Sequence, residues 1–302
     1  MHLVPITPPA QVQVFGGFDY VVTDAARRRV YAAHGGSRAL LIVDADSGAI
    51  VGQVDVGPLH GVAVDPETGH VYTGDGEALT VSEVDPVAKT VVRSADVNGK
   101  VDAIAYDPGL HRVYADEDDG TRVFIVDTKT MKQIAAVTIP GHKPEYLAVD
   151  PQTHELYQNI DNLSEVAVIN PDQMKVTRTF ETPIIKHNHP LQYDRTYHIL
   201  MVGGKNGTIA SYTRDGKLLG TASIQKSVDQ CDYNPGTHLL ACAGSGKVVV
   251  LQLSAQGALS VTSSLDVPAG VHTLAFDDKT GHIWIVWSED KGDFVQELKL
   301  KE

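Results

Sequence analysis

Seven ionisable side chains recur along the chain at near-constant intervals: Asp19, His60, Asp102, Glu145, His189, Asp229 and His272, separated by 41, 42, 43, 44, 40 and 43 residues. Every one is a carboxylate or an imidazole, the side chains that bind divalent metals and exchange protons near neutral pH. Two residues beyond each stands an apolar partner: Val21, Val62, Ile104, Leu147, Leu191, Cys231 and Leu274. A period of this size, with polar and apolar positions in step, marks an internal repeat as long as one four-stranded propeller blade. If the seven polar residues face one point, four carboxylates and three imidazoles require compensation by protons or by a cation.

The repeat that must position them reads Gly61-Val-Ala-Val-Asp-Pro-Glu-Thr-Gly-His-Val-Tyr72, Ala103-Ile-Ala-Tyr-Asp-Pro-Gly-Leu-His-Arg-Val-Tyr114 and Tyr146-Leu-Ala-Val-Asp-Pro-Gln-Thr-His-Glu-Leu-Tyr157, with weaker copies around Asp24, Asp194, Asn234 and Asp277. A short apolar run, strand A, ends in a turn of Asp-Pro-x-x-Gly type and is followed by strand B. A polar loop then leads to runs such as 40–44 and 123–127, strand C, and to β-rich runs such as 50–56 and 134–139, strand D. The pattern predicts an all-β fold, a seven-bladed propeller of four-stranded antiparallel blades forming one domain over 1–302. The last repeat reads A at 273–276, B at 283–287 and C at 294–300 and lacks a fourth strand. The unassigned run 11–15 is expected to complete that sheet and close the ring, which removes an exposed edge.

Through motifs of the form G-x-x-x-x-V-A-V-D-P-x-x-x-x-V-Y, followed by I-V-D and a further β run, the chain resembles the YVTN family of β-propeller repeats over essentially its whole length. The resemblance implies the propeller fold. It implies no single activity, because the family includes surface-layer proteins, periplasmic binding proteins and enzymes. The Asn that follows Tyr-Val in the family is replaced here by acidic and glycine-rich loops such as 74–76 and 116–120.

In such a ring strand A is innermost, so the seven polar residues are expected around one end of the central channel. The histidines fall on blades two, five and seven, which at about 51° per blade gives gaps of roughly 154°, 103° and 103°. Three imidazoles in near-threefold array suit one divalent transition metal, Zn, Mn, Fe, Ni or Cu, better than Ca or Mg. The expected ligands are His60, His189 and His272, with Glu145 as fourth ligand or general base and Asp19, Asp102 and Asp229 as supporting or alternative ligands. His187, in His187-Asn-His189-Pro190, is a second acid/base candidate. Around them Lys100, Lys143, Lys186 and Lys226 in the entry loops, and Tyr20 and Tyr146 next to the ring, are candidates for holding an anionic substrate. The B-to-C loops add His34, Asp75, Asp116, Asp118, Asp161, Lys205 and Asp290 to the same end. His70, His111, His154, His198, His238 and His282 lie at the opposite end and read as turn-packing residues.

The expected function is metal-assisted chemistry on a small oxygenated molecule, either a hydrolase of lactone or ester type or a lyase. Two other readings stand beside it: an Fe- or Cu-dependent oxidase or oxygenase, and a non-catalytic scaffold with a structural ion whose loops bind a protein or polymer. A net charge of −13, from 25 Lys and Arg against 38 Asp and Glu, excludes duplex nucleic acid as the natural partner. No uncharged apolar run reaches the length of a membrane helix, and a monomer is the default. The N-terminal residues lack the pattern of a secretory signal, so the chain as it stands is expected in the cytoplasm, or in the periplasm or medium if an export signal once preceded it. With only Cys231 and Cys242 there is no disulfide framework; the two fall on antiparallel strands A and B, where they could be near each other, and are read as buried free thiols.

Overall fold

A computed structural model describes residues 1–301. Its strands form seven antiparallel sheets arranged as a β-propeller, without a helix. The innermost strands A are Phe18–Asp24, Leu59–Val64, Val101–Asp107, Pro144–Val149, Asn188–Asp194, Cys231–Asn234 and Thr273–Asp277. Each packs on the A strands of both neighbouring blades, and the last packs on the first, so the ring closes. No helix is long and apolar enough to cross a membrane.

Burial follows position in the blade. Strands B and C lie between other strands and face neighbouring blades on both sides, so their sequences are continuous apolar runs, such as Val123-Phe-Ile-Val126, which is wholly buried. Strand D is the outer edge, and Lys175–Glu181 alternates exposed and half-buried residues. The repeated Asp or Asn at the end of strand A is buried in all seven blades: Asp24, Asp65, Asp107, Asp150, Asp194, Asn234 and Asp277. Its side chain accepts backbone N–H groups of the following turn, as Asp65 does from Glu67 (2.9 Å) and Asp150 from Gln152 (2.9 Å). That fixed turn sets the register of strand B against strand A.

The last blade is closed by the N-terminus, with more chain than expected and different limits. Two segments share the free edge of Gly292–Lys301: His2–Pro5 pairs with its C-terminal part, and Ala10–Val12 with Asp293–Val295. Phe15 lies beyond the second segment and is exposed. The junction is clasped by Asp293, which accepts the N–H groups of Gly16 (2.8 Å) and Gly17 (3.1 Å) and faces His34 Nε2 of the first blade at 2.6 Å. His34 and Asp293 are both buried, so this polar link joins the chain's two ends inside the ring.

The reading of Cys231 and Cys242 as free thiols is corrected. They are direct cross-strand partners on strands A and B of blade six and form a disulfide. Strand assignment put the two on neighbouring strands A and B, and the register that sets them directly opposite brings their side chains within bonding range.

Candidate functional site

The seven ring residues sit at or just before the start of strand A. In five blades the pairing of strands A and B slips there by one residue: between Phe18 and Val21, Leu59 and Val62, Val101 and Ile104, Glu145 and Leu147, and Asn188 and Leu191. A regular strand would put a residue and its second neighbour on one face. The bulge breaks that rule, so Asp19 and Val21, or His60 and Val62, serve a polar channel and an apolar core from adjacent turns of one strand. At Tyr146 the bulge holds a non-glycine residue at φ 45°.

Asp19, His60 and Asp102, from three successive blades, each offer a donor atom, and the three atoms lie within 4.8 Å of one another. His60 Nδ1 is 2.6 Å from Asp19 Oδ2. The Asp19 contact, with further help from the Asp102 and Asp118 charges, pushes the His60 imidazole up to about 9 against the opposing effect of burial. Burial raises the Asp102 carboxyl well above its usual range, and the charges of Asp19 and Glu145 raise it further. Next to it Asp116, wholly buried, is raised by burial and by Asp102, although it accepts Ala103 N–H at 2.7 Å and the Gln158 amide at 3.1 Å. This side of the mouth is a field of negative charge in which a proton on His60 is the near compensation.

The opposite side carries the basic groups. Lys143 Nζ lies 3.2 Å from Glu145 Oε1, and Glu145 Oε2 lies 3.1 Å from His189 Nε2, which is 3.3 Å from Asp229 Oδ1. Glu145 and His189 are both buried. Burial pushes the Glu145 carboxyl up to about 7, with Lys143 and Lys205 working against the rise. Burial also pushes the His189 imidazole down to about 4, so it is neutral, and its Nδ1 has no hydrogen-bond partner. Burial opposes the charge on Lys143, but Glu145 outweighs it and raises the ammonium.

The expected meeting of three imidazoles on the axis is not the arrangement observed. His60 and His189 belong to separate clusters, and among the described residues the Asp19, His60 and Asp102 group is the one set of three donors close enough to share an ion. His272 faces backbone carbonyls with both nitrogens, Gly270 O at 2.9 Å and Phe18 O at 3.0 Å, so in this rotamer it directs no lone pair at the channel. His187 is exposed on the rim, 3.1 Å from Asp161 Oδ1, and Asp161 is 4.0 Å from Lys143. Lys100, Lys186 and Lys226 are exposed, and no ion pair ties them to the ring among the described residues. Lys205 and Asp116 are the groups whose weight sequence reasoning missed. Their loops were placed at the correct end, but nothing in their spacing indicates that one acts on Glu145 and the other on Asp102.

Tyr20 and Tyr146 come from nearly opposite blades and meet in the channel, ring centroids 5.7 Å apart. Both are next to ring residues, and Tyr146 receives the Gln192 amide at its hydroxyl (3.0 Å). Burial, followed by the charges of Asp102 and Asp19, raises the Tyr20 phenol well above its usual range, so it stays protonated beneath the acids. The pair meets across the channel beside the charged mouth.

Neither a family model nor a curated protein matches the sequence. Solved structures do match in shape. Hydrazine synthase of Kuenenia stuttgartiensis has a TM-score of 0.81 at 14% identity, covering 94% of this chain and 96% of that one. The Cps50 (Swd1) β-propeller domain of Myceliophteria thermophila gives 0.78 at 9% identity, covering 97% and 100%. U3-55K gives 0.81 at 10% identity, covering 99% and 98%. At these identities the likeness establishes the fold: a seven-bladed β-propeller over the whole chain.

Proposed function

We propose that the chain is a metal-dependent enzyme acting on a small anionic, oxygenated substrate at the channel mouth, as a hydrolase of lactone or ester type or as a lyase. The observation that carries this reading is the division of the mouth into two complementary halves: Asp19, His60 and Asp102 on one side, and Lys143, Glu145, His189 and Asp229 on the other. A carboxyl pushed up at Asp102 and an imidazole raised at His60 are the donor chemistry a divalent cation relieves. One imidazole with two carboxylates favours Mn or Zn, with Fe next, over the softer Cu or Ni site that three imidazoles would suggest. When bound, such an ion polarises a substrate oxygen or lowers the pKa of water.

The chain's own residues then have separate tasks. Lys143, which is half-buried, and Lys205, whose charge reaches Glu145, attract the substrate's anionic group. Glu145, near 7, is balanced between acid and base at neutral pH and can give or take a proton at Oε2. Neutral His189 lies between Glu145 and Asp229 and limits how far each can turn. We also read the repeats as YVTN-type.

The test is turnover of small anionic esters, lactones and hydroxy acids by protein loaded with Mn or Zn, set against Glu145→Gln loaded in the same way. Metal-dependent turnover that collapses in the variant supports the reading. A loaded protein inert towards all three classes, while loop substitutions abolish binding of a macromolecule, would replace it with the scaffold reading.

A further inference from the structure

Towards the end of the channel where strands A finish lies a lower chamber, a partly open cavity of about 190 Å³ lined by strands A of blades six, seven and one and by Tyr146. Its lining is mixed: Val22, Leu274 and Phe276 are apolar, Thr23 and Tyr233 carry hydroxyls, and the carboxylates of Asp232 and Asp278 both line it. Asp232 occupies the third position after ring residue Asp229. At the same step the other blades carry Val22, Ala63, Ala105, Ala148, Gln192 and Ala275, so blade six alone places a carboxylate there. Its Oδ2 accepts the Phe276 N–H across the blade boundary at 2.7 Å. No cationic side chain acts on it, and the neighbouring charge is Asp278, itself an acid. Asp278 Oδ1 accepts the Asn234 amide at 3.1 Å, and the charge of Arg195 at the outer mouth partly offsets it.

We infer that this lower chamber is a binding site for a small organic ammonium ion, seated between the Asp232 carboxylate and the Tyr146 ring. A half-buried carboxylate with no cation beside it is poorly compensated, and a positively charged ligand supplies the missing charge. Burial pushes the Asp232 carboxyl up to about 7, consistent with a group that lacks a counter-charge. A metal ion suits the chamber less well, because Asp232 and Asp278 are its only carboxylates, each already accepts a hydrogen bond from a neighbouring amide, and among the described residues the group of three donors close enough to share an ion is Asp19, His60 and Asp102. An alkylammonium needs only one carboxylate, an aromatic face and apolar walls. The volume admits an ion with a few carbon atoms. The inference is independent of the chemistry proposed for the mouth.

The experiment is calorimetric titration of methylammonium and tetramethylammonium chloride at pH 8 into the full chain, Asp232→Asn, and Asp19→Asn/Asp102→Asn. Saturable one-site binding of either ion is expected in the full chain, weakened at least tenfold by Asp232→Asn and unchanged within about twofold by the double variant. Near-isosteric Asn keeps an acceptor for the Phe276 N–H, and circular dichroism confirms that each variant is folded. Absence of saturable binding by both ions, equal binding to Asp232→Asn, or loss of binding only in the double variant would each overturn the assignment.

Discussion

Tyr20 and Tyr146, three blades apart in the ring, meet with centroids 5.7 Å apart, and Tyr146 also lines the cavity that holds Asp232. The residue following the ring position thus does as much for the site as the ring residue itself: the same bulge that aims Glu145 at the mouth turns Tyr146 across the axis. Replacing Tyr146 by Ala should remove that ring contact and cost about 2–4 kcal/mol of stability, less than for a fully buried aromatic because the ring is half-buried. Tyr146→Phe keeps the ring and loses the Gln192 hydrogen bond, at about 1 kcal/mol. Denaturant unfolding of the two variants measures the difference; equal costs would mean that the ring does not pack as described.

The pairing of His60 with Asp19 sets a pH dependence for metal binding. The imidazole is held protonated up to about 9, and a metal ligand must lose that proton. Apparent affinity for Mn or Zn should therefore rise about tenfold per pH unit between pH 7 and 9 and flatten above, each ion bound releasing about one proton. Titrations at three pH values in buffers of different ionisation enthalpy would reveal this. A pH-independent affinity would exclude His60 as a ligand.

Glu145→Gln removes the proton carrier while keeping the side chain's shape and fixing it in the uncharged state. Turnover should fall by about 10²- to 10⁴-fold, the usual contribution of a positioned acid or base, with metal content retained. Lys143→Ala should instead act mainly through KM, by removing a charge that attracts the substrate. Steady-state kinetics on both variants separates proton transfer from binding.

Asp232 makes stability fall as pH rises. Its carboxyl is near 7 when folded against about 3.9 in an unfolded chain, so the folded state holds the extra proton between those values. Stability should therefore decline from about pH 4 to 7 and level off above, when no cation is bound. Asp232→Asn should be more stable than the parent by on the order of 1–3 kcal/mol at pH 8, with the gain vanishing near pH 4. An unchanged difference across that range would show that Asp232 is not desolvated.

The disulfide between Cys231 and Cys242 closes a short loop across one blade. Mass spectrometry of unreduced protein should find two fewer protons than the dithiol, with no thiol labelled in denaturant. Its removal by Cys231→Ala/Cys242→Ala should cost about 2–3 kcal/mol, in line with a loop of this size. Such a bond forms and persists in oxidising compartments, so protein made in a reducing cytosol should recover the bond on air oxidation.

The fold was legible because each blade carries the same turn-forming Asp and the same apolar runs, and their period could be counted. The identity of the ring residues was legible for the same reason. Their grouping was not. The angular argument treated the ring as symmetric about its axis, whereas His272 turns to the carbonyls of Gly270 and Phe18, and His60 and His189 settle with the carboxylates nearest each. Side-chain direction at a bulge depends on backbone geometry that period-two reasoning cannot supply. The lower chamber was missed because Asp232 departs from the repeat in one blade, and repeat-based reading averages over such departures. The cysteine pair depended on register at single-residue precision.

Elemental analysis tests the central claim most directly. The full chain, Asp19→Asn/Asp102→Asn and His272→Ala would each be incubated with Mn and Zn, desalted, and measured by elemental mass spectrometry. About one ion per chain is expected in the full chain and in His272→Ala, with loss in the double variant. A full chain that retains neither metal, or a double variant that retains it while His272→Ala does not, would contradict a metal site built on Asp19, His60 and Asp102.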